Sequence, residues 1–245
     1  MRRPKIAAAI TGAALLAGAA FSATGANAGA PLGASSQAPA VDPSNFVRHV
    51  TNPFYPLKPG TLLVYRGTRD GQLQTDRVYV TYRTKEILGV RTTVVRDIAR
   101  HGSRVLEKTF DWFAQDKAGT VWYFGENTKS FENGKVDTEG SWKAGVDGAV
   151  PGIIMEADPH VADGYRQEFY RGHAEDQAWI LRRGGTVHVP IGRLRHRLVT
   201  LEWTPLEHNV IDTKIYARGF GIVLEKSRTG PKETAALVRV HRPGG

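Results

Sequence analysis

Chemistry in this sequence would start from a small set of acids set among aromatic residues. In the stretch from Val105 to Gln115, a period of two places Glu107, Thr109, Asp111 and Phe113 on one face. Leu106, Phe110, Trp112 and Ala114 fall on the other. Glu126 follows on the next stretch, in step with Trp122 and Phe124, and a turn between the two stretches would bring Asp111 and Glu126 close together. Glu168, Glu175 and Asp176 form a second acidic group. Glycoside cleavage uses two carboxyl groups, one held protonated as the acid and one ionised as base or nucleophile, with a ring to stack on the sugar. The candidate catalytic residues are therefore Asp111, Glu126, Glu168 and Glu175. The same acids would serve equally as ion-pair partners for the many arginines on solvated strand faces.

Other chemistries find little support. The eight histidines show no metal-motif spacing, although His160 with Asp158, or His173 with Glu175 and Asp176, would be the pairs to meet around zinc. Cysteine is absent, which excludes thiolate metal sites, cysteine nucleophiles and lipid attachment through cysteine. There is no Gly-x-Ser-x-Gly elbow. Arg182-Arg183-Gly184-Gly185 lacks the following helix that a phosphate loop needs. The expectation is no metal and no cofactor. No basic stripe interleaves with aromatics, so nucleic acid is not an expected partner.

Aromatic residues carry the leading alternative. Four of the five tryptophans fall in strand-like stretches. They either pack a core or line a groove on a curved sheet. The groove reading makes Trp112, Trp122, Phe124 and Tyr170 the ligand-binding residues. It describes a non-catalytic binding module for an apolar or amphipathic small molecule or lipid of the cell envelope. A carboxylate-dependent hydrolase and a structural or interaction protein of the cell surface are the rival readings.

The elements that must position these residues are short strands. From Thr61 onward, alternating stretches are separated by turn chemistry such as Thr68-Arg69-Asp70-Gly71, Asp116-Lys117-Ala118-Gly119 and Asn133-Gly134. About ten strands and almost no helical periodicity predict an all-β fold: one curved antiparallel meander, half-barrel or barrel-like, in which Thr234–His241 closes the sheet. The stretch Asn52 to Gly60 holds three prolines, which forbid a helix and predict an ordered opening loop pinned by Phe54, Tyr55 and Leu57.

Several motifs carry a likeness. Asp111-Trp112-Phe113-Ala114-Gln115-Asp116, Trp122-Tyr123-Phe124-Gly125-Glu126, Tyr165-Arg166-Gln167-Glu168-Phe169-Tyr170, Ala174-Glu175-Asp176 and Tyr216-Ala217-Arg218-Gly219-Phe220-Gly221 together resemble a family of uncharacterised secreted bacterial proteins. That family brings no function. In layout, from Pro56-Leu57-Lys58-Pro59-Gly60-Thr61 to the hairpin near the end, the chain is similar to exported half-barrels of the lipoprotein-carrier type. That likeness implies a curved antiparallel sheet wrapped round an apolar groove.

The beginning of the chain reads as an export signal. Arg2, Arg3 and Lys5 precede an apolar stretch to about Phe21, and Ala26-Asn27-Ala28 offers a cleavage site. The expected organisation is a secretory signal peptide over 1–28, a flexible leader over 29–44 and a single β-rich domain over 45–245, secreted and without a membrane span after cleavage. With 41% hydrophobic and 23% charged residues the composition is that of a globular domain. The net charge of +9, less the three basic residues of the signal, leaves +6 on the mature chain. Such an excess suits contact with anionic envelope polymers or lipid headgroups, or simple solubility. Oligomeric state has no signature in the sequence.

Overall fold

The protein is described by a computed structural model covering residues 41–132 and 134–244. The expected signal peptide, leader residues 29–40 and Asn133 of the expected Asn133-Gly134 turn lie outside the described residues. The last leader residues do have structure. Asp42 accepts a bond from the Ser44 N–H and caps a 3-10 turn over Pro43–Asn45.

Apart from that 3-10 turn, the regular structure of the described chain is all strand. The first nine are β1 Phe46–Val47, β2 Leu62–Arg69, β3 Gln72–Ile87, β4 Val90–His101, β5 Arg104–Asp116, β6 Val121–Glu132, β7 Lys135–Asp137, β8 Trp142–Lys143 and β9 Val150–Met155. The remainder are β10 Gly164–Arg166, β11 Glu168–Phe169, β12 Gln177–Arg183, β13 Thr186–Val189, β14 Gly192–Arg195, β15 Arg197–Trp203, β16 Ile211–Ala217, β17 Gly221–Thr229 and β18 Glu233–His241. β13 and β14 form a separate hairpin. The rest join one antiparallel sheet in the order β10-β12-β15-β16-β17-β18-β2-β3-β4-β5-β6-β9-β11, with β1, β7 and β8 added at its margins. The meander expectation holds, but β18 pairs with β2 in the middle of the strand order, so Thr234–His241 does not close the sheet as expected.

The sheet is nearly closed into a barrel by one short stretch of chain. β10 pairs with β12 at one end of the strand order, and β11 pairs with β9 at the other. Only Gln167 separates β10 from β11, so the chain changes partner at that residue. Its N–H donates to the Asp176 carbonyl at 2.7 Å. The wall opposite is Gly152, where any side chain would run into the Gln167 carbonyl.

Alternation sorts the side chains between interior and exterior. Tyr65, Val78, Val95, Phe113, Tyr123, Leu198, Tyr216 and Leu237 are all buried at 2% exposure or less. Each contributes on the order of 1.5–3 kcal/mol by leaving water. The opening loop is pinned as expected: Phe54, Tyr55 and Leu57 are buried, and the Tyr55 ring meets Phe113 edge-on at 5.3 Å. The Asn52 side chain accepts from the Phe54 N–H and donates to the carbonyls of Gly119 and Glu156. On β3 the simple period fails. A register shift between Val80 and Thr84 leaves Tyr82 exposed while Val78 and Val80 stay inside.

Candidate functional site

Asp111 and Glu126 are direct cross-strand partners on β5 and β6. The Tyr123 hydroxyl lies 2.9 Å from Asp111 Oδ1 and 3.1 Å from Glu126 Oε2. A period of two would have put Glu126 on the face of Trp122 and Phe124, away from Tyr123. A bulge between Asp111 and Phe113 shifts the register and turns Glu126 inward. Gly125 permits this with φ +121° and no side chain where the Trp142 carbonyl crosses. Glu168 joins the group from β11, so three of the four candidate catalytic acids converge. Glu175 does not. It sits in the turn after Tyr170 and accepts from the Gly172 N–H at 2.7 Å.

The three convergent acids are shut away, with Asp111 0%, Glu126 1% and Glu168 1% exposed. Burial, followed by the charges of Glu168 and Asp111, holds the Glu126 carboxyl well above its ordinary range. Burial, followed by Asp176 and Asp111, does the same to Glu168, with the Trp142 indole opposing. A tyrosine hydroxyl carries one proton, so bonding to both neighbours requires one of the two carboxyls to be protonated. The arrangement is a proton-sharing network inside a wall. A glycosidase needs its pair open to a sugar and an attacking water, and here no saccharide reaches them unless the sheet parts.

These acids belong to a larger interior set that the sequence reading missed. Asp76, Asp97, Glu107, Asp111, Glu126, Glu168, Asp176, Glu202 and Glu225 are each 6% exposed or less. The buried cations with them are Lys214 and Arg69, at 3% and 7%. Lys214 Nζ lies 2.8 Å from Glu202 Oε2, and Glu202 Oε1 accepts from Thr200 at 2.7 Å and from Tyr216 at 3.0 Å. Glu107 accepts from Ser130 at 3.0 Å and Thr109 at 3.3 Å, and burial followed by Asp97 raises its pKa to about 7. Carboxyl groups crowded away from water resist ionisation together.

The four expected ligand-binding aromatics do not line a common groove. Trp112 lies on the opposite face of β5 from Asp111, buried beneath the Lys85 ammonium at 3.4 Å. Trp122 and Phe124 are covered by Phe46 of β1, with ring centroids 6.3 and 5.6 Å away. The Trp122 indole donates to Asp116 at 3.0 Å. Tyr170 stacks on His173 at 4.3 Å in a surface turn. The wrapped sheet implied by the lipoprotein-carrier likeness is present, but its interior carries carboxyl groups among the rings where that likeness implies an apolar groove. Among the described residues, no group of three or more His, Asp and Glu side chains is arranged to hold a metal ion. His160 lies 3.6 and 3.7 Å from Asp158 and Asp163 in an exposed cluster with Arg183.

The open site is on the outside of β18, β2, β3 and β4. A cavity of about 520 Å³ is lined by Val64, Arg66, Thr75, Arg77, Arg100, Val238, Arg239 and His241. Alternation makes it: Tyr65 and Asp76 point inward, so Val64, Arg66, Thr75 and Arg77 point outward. Register then gathers the arginines into two rows. Val64 stands between Arg239 and Arg77 across the strands, and Thr75 stands between Arg66 and Arg100. No carboxylate lines the cavity. Among the described residues no ion pair engages any of the four arginines; Arg100 donates to the Ser103 carbonyl at 3.2 Å. In sequence these residues look scattered over 174 positions of chain, from Arg66 to Arg239. Their one linear trace is that Arg66 and Arg77 each directly follow a residue of the buried face.

No family model matches the chain. No curated protein matches it. Among the described residues, no helix is long and apolar enough to cross a membrane. Among solved structures the chain is similar to a Bacteroides fragilis protein described as exported and as having a YmcC-like fold, at 14% identity and a TM-score of 0.46, over 77% of this chain and 99% of that one. It is also similar to a Parabacteroides distasonis protein described as a lipoprotein, at 13% identity and a TM-score of 0.43, over 77% of this chain and 98% of that one.

Proposed function

We propose that the chain is an exported, non-catalytic binding module that holds an anionic amphipathic lipid of the cell envelope on the outside of its barrel. One observation carries this reading: four arginines from four adjacent strands face one cavity that contains no acid. Like charges set side by side cost stability unless something neutralises them. A bound anion does so, and the valines of the cavity offer apolar contact to the remainder of an amphipathic molecule. The amino-terminal signal pattern supports export. Against hydrolysis stands the enclosure of Asp111, Glu126 and Glu168.

The test is co-sedimentation of the mature chain with vesicles of phosphatidylcholine, with and without phosphatidylglycerol. The expected result is binding to the mixed vesicles only, weakened at least tenfold in the Arg77→Gln/Arg239→Gln double variant. Equal binding by wild type and double variant would remove the arginine cavity from the account. Export is read separately, by expressing the full chain in a bacterium and sequencing the amino terminus of the secreted product. Cleavage after Ala28 is expected, and retention of an uncleaved chain in the cytoplasm refutes it.

A further inference from the structure

Resting on that reading, we infer that the anionic group taken by the cavity is a diphosphate, or two phosphates carried close together on one headgroup. Charge and register both point there. Guanidinium groups stay protonated at any working pH, so the cavity presents four fixed positive charges. A carboxylate or a phosphodiester would balance one of them. Two phosphate groups bring roughly three to four negative charges and six strong acceptor oxygens, which matches the number of guanidiniums.

The rows give the spacing. Arg239 and Arg77 flank Val64, and Arg66 and Arg100 flank Thr75. Partners on alternate strands lie about 10 Å apart at the backbone. Both flanked residues are short, so two long side chains close over each from opposite sides like a clamp. The row centres, Val64 on β2 and Thr75 on β3, lie one strand and two residues apart, roughly 8 Å at the backbone, a distance that long arginine side chains span. The guanidinium groups at the ends of these long side chains converge from both rows on one pair of adjacent phosphates through paired N–H donors, the geometry at which arginine excels. At about 520 Å³ the cavity lies in the size range of small-molecule sites and exceeds what a lone inorganic anion fills.

Isothermal titration of the mature chain with inorganic pyrophosphate, inorganic phosphate and citrate tests the inference. Pyrophosphate should bind at least tenfold more tightly than phosphate or citrate. Arg77→Gln and Arg100→Gln, one from each row, should each lose at least tenfold. Arg228→Gln, exposed on β17, should be unaffected. Unchanged thermal melts show that the variants fold. Equal affinity for phosphate and pyrophosphate, or indifference to both row variants, overturns the diphosphate assignment.

The vesicle experiment separates this from the parent reading. Arginine-dependent binding to phosphatidylglycerol vesicles that pyrophosphate does not displace keeps the lipid reading and removes the diphosphate. Pyrophosphate that releases the protein from vesicles supports both, because lipid and diphosphate then compete for the same arginines. Tight pyrophosphate binding without any vesicle binding upholds the diphosphate as a free ligand and removes the lipid.

Discussion

Asp111 and Glu126 face each other across β5 and β6 with the single hydroxyl of Tyr123 within bonding reach of both. Because one proton serves two acceptors there, a neutral Glu126 fits the site better than an ionised one. Glu126→Gln mimics the neutral form. We expect it to melt several degrees above wild type at pH 8 and to differ little at pH 5. Tyr123→Phe leaves buried oxygens without a donor and should cost about 1–3 kcal/mol at either pH. A Gln variant less stable than wild type at pH 8 would contradict the proton-sharing description.

Glu107 and Glu225 should show the same preference for protons. Glu107 titrates at about 7 and Glu225 at about 8 in the folded chain, against 4.5 ordinarily, burial being the largest cause in both. Between 4.5 and those values the folded chain keeps protons that the unfolded chain has released. Stability therefore falls as pH rises through that window. For Glu107 alone the effect is on the order of 3 kcal/mol once pH exceeds 7. Thermal melts from pH 5 to pH 8.5 should show a falling midpoint, and Glu107→Gln should flatten part of the slope. A midpoint that climbs over this range refutes the prediction.

Lys214 is the counter-charge to Glu202 on the far wall. Glu202 and, next, Glu225 overcome the opposing effect of burial and raise the lysine above its usual range, so it stays charged throughout folding conditions. Lys214→Met strands the Glu202 carboxylate in the interior and should cost roughly 3–5 kcal/mol, as breaking a buried pair does. Adding Glu202→Gln removes the stranded charge and should recover more than half of that loss. Denaturant titration of the two variants measures it, and no recovery in the double variant would mean that packing, and not charge, explains the first loss.

Strands and turns were legible because Asp70-Gly71 and Asp116-x-x-Gly119 announce hairpins and alternation sets the sheet; the closing position was not, since the ends of the sheet meet at Gln167 and not at Thr234–His241. On β5 the two faces were also sorted as found: Glu107, Thr109, Asp111 and Phe113 on one, Trp112 and Ala114 on the other. What misled was the rule that the apolar face is the inside. Here the acid-bearing face turns inward, and Trp112 is buried outside by Lys85. Nothing in a linear pattern shows that so many carboxyls will be buried, or that burial will push Glu107, Glu126, Glu168 and Glu225 toward their protonated forms. Glu126 was misplaced because a bulge at Gly125 breaks the period, and such breaks depend on the neighbouring strand. The arginine cavity was invisible for a related reason: Arg66, Arg77, Arg100 and Arg239 become neighbours only through antiparallel register.

Closure of the barrel rests on Gly152, and this can be tested directly. The chain changes partner from β12 to β9 at Gln167, and Gly152 is where β9 meets the Gln167 carbonyl with no room for a methyl group. Gly152→Ala must push β11 off β9. Hydrogen exchange should then quicken at residues 164–169 and 150–155, while β3, β4 and β5 keep their protection, since their pairing does not pass through the seam. Opening the seam would also let water reach Glu168, whose carboxyl is held protonated chiefly by burial. The pH dependence of stability should therefore become shallower in Gly152→Ala than in wild type. If exchange at 164–169 is unchanged while the protein stays folded, the sheet does not depend on this seam for its closure.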